Sequence, residues 1–170
     1  MYISKVGLYC YIICAVKGTV WRIIVQILIE ELYKNRLMRT NGEIEKFEKV
    51  LNEISKVVKE EDIPGLCKIF DDNTRHDEVM FGLIHLIEIF SSEKAFGFIV
   101  LGVANMLEQA SGWAKIIIYR CLNDDFARNM LKNAVNTAEL QVQQKIVSLL
   151  NVIKEEDFDN FGMAVNEILS

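Results

Sequence analysis

Proline and histidine are nearly missing from this chain: one proline, Pro64, and two histidines, His76 and His85, in 170 residues. A single proline against nine glycines, with 51% hydrophobic residues, excludes the proline-rich and apolar-poor composition of disorder. Neither histidine is placed beside Cys10, Cys14, Cys67 or Cys121 so as to complete a tetrahedral zinc site, and no metal is expected. No GxGxxG or P-loop glycine pattern occurs, so no nucleotide or other cofactor is expected either. Basic residues are the scarcer charge, 19 against 24 acidic, for a formal net charge of −5. That balance leaves no electrostatic footprint for nucleic acid and suits a basic protein partner.

The length fits one domain with its own core. An uninterrupted membrane-spanning run is lacking. Val6 to Val16 is apolar, but Lys17 and Arg22 break the stretch before it resumes up to Ile29. Each of those charges costs about 2.5–3.5 kcal/mol at the centre of a spanning helix. Attachment to a membrane through residues 6–29 is therefore disfavoured but left open. A signal peptide finds Lys5 and an apolar region in its favour, yet Ala15-Val16-Lys17 is a poor cleavage site. A further reading makes residues 1–38 a leader upstream of a start at Met38, with the helical domain over 39–170. Its motive is Thr40-Asn41-Gly42-Glu43, a capping-box pattern directly after Met38.

From Glu43 onward the apolar residues recur at three-four spacing. Ile44, Phe47, Val50, Leu51, Ile54, Val57 and Val58 define the first amphipathic helix, and Pro64 opens a short second one through Phe70. Thr74 is expected to cap a helix over Arg75–Phe90, and Ser91 or Ser92 the next. Residues 95–108 are apolar almost all round, long for a strand and flanked by caps, and predict a buried central helix. Helices are then expected from Ser111 or Gly112, from Asp124, and from Thr137 with an inner stripe of Leu140, Val142, Ile146, Leu149, Leu150 and Ile153. The last carries Phe158, Phe161, Val165, Ile168 and Leu169. The pattern predicts an all-α fold in which short antiparallel helices stack as an α-α superhelix, similar to HEAT or armadillo arrays, with a compact irregular bundle as the alternative.

Chemistry-bearing constellations are sparse. His85 lies three residues before Glu88 on one helix, which permits a hydrogen bond, but no nucleophile accompanies it and no catalytic residue is assigned. Cys67 and Cys121 sit among apolar residues, as buried free thiols in a reducing cytoplasm do. Arg120 either bridges internally to Glu88 or binds a partner's carboxylate; its apolar flanks favour the bridge. Acidic residues gather at helix starts, where capping and the helix dipole explain them. Taken together, Asp77, Glu78, Asp124 and Asp125 can also steer a basic partner.

Two stretches carry a resemblance. The run from Asp72 to Phe90, including His85 and Glu88, and the helix with Trp113 and Tyr119-Arg120-Cys121-Leu122-Asn123 resemble immunity protein family 30 of bacterial polymorphic toxin systems. The likeness spans roughly Glu43 to Ile153. It implies a small cytoplasmic protein, not an enzyme, that binds a cognate toxin domain and protects its cell from contact-delivered toxin. It makes His85, Glu88, Trp113, Arg120 and Asn123 motif residues of a structural kind, because a toxin-facing surface varies with its toxin. The first forty residues depart from that pattern. A helical-repeat scaffold, or a membrane-associated interaction protein without a toxin partner, is the alternative function.

Overall fold

The structure, a computed structural model, describes residues 5–170, with side chains from Val20 onward. The described residues contain helices and no strand: α1 (Lys5–Asn35), α2 (Asn41–Ile54), α3 (Ile63–Cys67), α4 (Asp77–Glu88), α5 (Glu93–Met106), α6 (Ser111–Leu122), α7 (Asp125–Thr137), α8 (Leu140–Glu156) and α9 (Phe158–Leu169). The helices pack on one another as a stack, as the periodicity predicts. α1 lies on α2, and α5 sits at the centre against α3, α6, α7 and α8. α9 closes the far end on α7 and α8.

Local chemistry sets several boundaries. Thr40 accepts the Glu43 amide at 3.2 Å, satisfying an orphan donor of α2, and the Glu43 carboxylate reaches back to the Arg39 amide at 2.6 Å, one residue before the cap. Ser92 caps α5 through the Ala95 amide, and Asp124 caps α7 through the Ala127 amide at 2.8 Å. α5 buries Ala95, Phe96, Ile99, Val100, Val103, Ala104 and Met106, which occupy more than one of its faces. A helix apolar on several sides needs neighbours on several sides, and the central position supplies them.

Three expectations shift. α4 begins at Asp77 behind His76 rather than after Thr74; the Thr74 hydroxyl is turned towards the end of α1, donating to the Arg36 carbonyl at 2.9 Å. Thr137 closes α7 instead of opening α8; its hydroxyl donates to the Asn133 carbonyl at 2.9 Å. Leu140 and Phe158, both read as inner-stripe residues, stand at the first positions of α8 and α9 and are exposed. At a helix start the neighbouring helix has not yet come alongside, so the stripe is buried only further along: Ile146, Leu149, Leu150 and Ile153 in α8, Val165 and Ile168 in α9.

Residues on both sides of Met38 contribute to one core. Val25, Ile29 and Leu32 of α1, and Met38 itself, are buried in the same cluster as Phe47, Ile63 and Leu66. Met38 holds φ 48°, in the left-handed region. That conformation costs a non-glycine residue about 1–2 kcal/mol. Complete burial of its side chain returns a comparable 1.5–3 kcal/mol. The run Val6–Val16 lies outside the residues whose side chains are described. Among the described residues no helix is long and apolar enough to cross a membrane.

The loop after α3 ties the stack together. Asp71, the one buried acidic side chain among the described residues, accepts from Arg36 Nε at 3.1 Å and from the Asn73 amide and side chain at 2.9 Å each. Burial pushes its carboxyl upward, but the Asn73 hydrogen bonds and the Arg36 guanidinium together outweigh that and hold it below the usual carboxylate range. Asp72 reaches across to the start of α6, accepting from the Gly112 amide at 3.0 Å and the Trp113 amide at 3.3 Å. It thereby caps a helix 40 residues away in sequence, satisfying amides that Ala110 leaves unmet.

Candidate functional site in the groove between α4, α6 and α7

α4 and α6 run side by side. Trp113 at the start of α6 stacks against Phe70, ring centroids 5.5 Å apart, and edge-on against Phe81 at 5.4 Å. Seven residues on, along the same face, Arg120 meets Glu88: Nη2 donates to Oε2 at 2.8 Å, and Nε donates to Oε1 to complete a two-pronged pair. The Arg120 hydrogen bonds and charge, aided by His85 Nδ1 at 3.3 Å, hold the Glu88 carboxyl below its usual range despite partial burial. The bridge expected from the sequence is therefore present, at the surface rather than inside: the two side chains keep 40% and 37% of their exposure.

That surface position matters because the pair stands on the rim of a cavity of about 240 Å³. Ile84, Ile87, Phe96, Ile99, Ile117 and Cys121 line its apolar floor, while Glu88, Arg120, Asp124 and Phe126 stand around it. The Phe126 ring is 56% exposed. An apolar recess, an exposed aromatic beside it and a charged rim are the ingredients of a protein-docking hot spot. Cys121 contributes no reactivity to the recess, since burial pushes its thiol up to about 12.

Of the acids singled out from the sequence, Asp124 lines this groove and Asp125 follows it in the chain, whereas Asp77 and Glu78 do not line it. Asp77 opens α4 and Glu88, which lines the groove, ends it, so Asp77 lies about 16 Å from Glu88 along the helix axis. Glu78 is paired with His76 Nδ1 at 2.9 Å and lies on a second groove, between α2 and α4, which His85 also lines. Asp124 is occupied as the α7 cap, and Asp125 pairs with Arg128, which also holds Glu167 at 2.9 Å. Asn123 ends α6, its amide donating to the Tyr119 carbonyl at 3.1 Å. Phe126 was not singled out from the sequence. The available signal was a phenylalanine directly after two acids in the first turn of a helix, where the pattern leaves it outside the inner stripe. No group of three or more histidine, cysteine, aspartate or glutamate side chains converges among the described residues.

Residues 34–131, a span that holds Arg36, Met38, the Asp71–Asp72 loop, the Glu88–Arg120 pair and the whole groove, match the family Immunity protein 30. The chain belongs to that family. Membership makes it an immunity protein and implies a toxin as its partner. No curated protein and no solved structure matches the chain. The matched span begins inside the last turn of α1, so the family's first residues include the Arg36 contact to Asp71.

Proposed function

We propose that this immunity protein binds a cognate bacterial toxin domain in the cytoplasm of the producing cell and neutralises it by covering its active surface. The groove between α4, α6 and α7 is the contact, Phe126 is its aromatic anchor, and Asp124 and Asp125 face a basic toxin surface. Asp77 and Glu78, about 16 Å away, fall within the breadth of a standard interface of about 800 Å² per partner. A toxin that handles nucleic acid carries the basic surface that such a rim complements. The observation that carries this reading is the exposed Phe126 beside an apolar recess, inside the family-matched span.

The test is co-expression with the toxin encoded beside it, together with titration calorimetry of the purified pair. Growth rescue and a salt-weakened complex are expected. Absence of both binding and rescue would end the proposal.

A further inference from the structure

α1 presents two apolar stripes. Val25, Ile29 and Leu32 face the body of the protein and are buried, with Ile29 packed against Gly65 of α3. Val20, Ile23, Ile24 and Ile27, at the i, i+3, i+4, i+7 spacing of one helix face, are 37–55% exposed. At 100° per residue this second stripe points almost directly away from the first. Trp21, 52% exposed, lies on the flank between the two stripes. A surface helix with one polar face needs only one apolar stripe, so the second calls for a cover.

Charge says what kind of cover. Three of the chain's 19 basic residues, Lys5, Lys17 and Arg22, and none of its 24 acidic residues fall within positions 1–29, leaving 16 basic against 24 acidic residues in the remainder. Two copies of this segment side by side bring like charges together. An anionic lipid surface meets opposite charge, accepts the isoleucine stripe among its acyl chains and suits a tryptophan at the headgroup level. Lys17 and Arg22 oppose crossing, and a helix lying flat at the interface does not carry their charge into the hydrocarbon centre. The stripe ends at Glu30 and Glu31, the latter paired with Lys34 at 2.8 Å.

We propose that α1 seats this protein on an anionic membrane surface, its outer stripe in the lipid and its inner stripe holding the helical body. Flotation of the full chain with phosphatidylcholine vesicles, with and without phosphatidylglycerol, tests it. Partition is expected to be about fivefold or more stronger to the anionic vesicles, at about fivefold for each basic residue that comes near the surface, and to weaken with salt. Trp21 emission should shift to the blue on binding, whereas the buried Trp113 should not respond. The exposed-site double variant Ile23→Asp/Ile27→Asp should keep its melting curve and lose flotation. Equal flotation of the original chain and the Ile23/Ile27 variant overturns the proposal. So does a failure to bind either vesicle, or a solution dimer that the same variant dissolves without any lipid binding, which assigns the stripe to a second copy.

Discussion

Replacing Gly102 by alanine sets two effects of opposite sign against each other in the centre of the fold. Gly102 is buried in the middle of α5. Alanine is worth about 0.8–1 kcal/mol over glycine inside a helix, so helix propensity alone predicts a more stable protein. A Cβ at this position, however, lies 2.5 Å from Cys67 Sγ, 2.9 Å from Cys67 Cβ and 3.3 Å from Pro64 Cα. Cys67 is completely buried on α3, and the proline backbone cannot swing aside. α3 must then move off α5, and overpacking of that kind costs about 1–3 kcal/mol. The net expectation for Gly102→Ala is a loss of about 0–2 kcal/mol, centred near 1, combining that cost with the propensity gain. Gly97, on the exposed side of the same helix, has nothing within 4 Å of its Cβ position, so Gly97→Ala should gain the full 0.8–1 kcal/mol or so. Urea unfolding followed by circular dichroism reads both: the midpoints should move in opposite directions with an unchanged slope. Adding Cys67→Ala to the Gly102→Ala chain removes the nearest atom, and a coupling of at least about 0.5 kcal/mol is expected between the two sites. A Gly102→Ala protein as stable as Gly97→Ala would refute the close approach of α3 and α5.

Further outcomes follow from the same contacts. Asp71→Asn removes a buried carboxylate from Arg36 and Asn73, for a loss of about 2–3 kcal/mol at neutral pH. Because the folded carboxyl titrates below its unfolded value near 3.9, Asp71 contributes fully above that pH and fades as the pH falls towards the lowered folded value. The asparagine chain should therefore lose less stability on acidification, measured as urea midpoints from neutral pH downward. Cys67 and Cys121, both buried and with thiols pushed up to about 12, should resist iodoacetamide in the native protein and react on unfolding, as peptide mapping will show. Phe126→Ala should leave the melting curve nearly unchanged and weaken toxin binding by tenfold or more if the ring is an anchor, on the order of the 1–2 kcal/mol that such residues carry. Unaltered affinity would move the contact elsewhere.

By itself the sequence determined that this chain is all-helical. It also determined where many helices start: the caps at Thr40 and Asp124, a cap at Ser91 or Ser92 and a core helix over residues 95–108, observed as Glu93–Met106, are all local or single-face statements, written in periodicity and capping chemistry. The tertiary structure decided whatever depends on partners far along the chain. Thr74 is spent on a carbonyl 38 residues back, Asp72 caps a helix 40 residues ahead, and Asp71 binds an arginine 35 residues back. Asp77 and Asp124 stand at opposite ends of α4 because α6 runs alongside that helix and delivers Asp124 to its far end. The physical reason is that a periodic stripe fixes which face of a helix seeks burial, whereas the number of neighbours that arrive fixes how much of that face is covered. For α5 neighbours came on several sides, and for α1 between residues 20 and 27 they came on one.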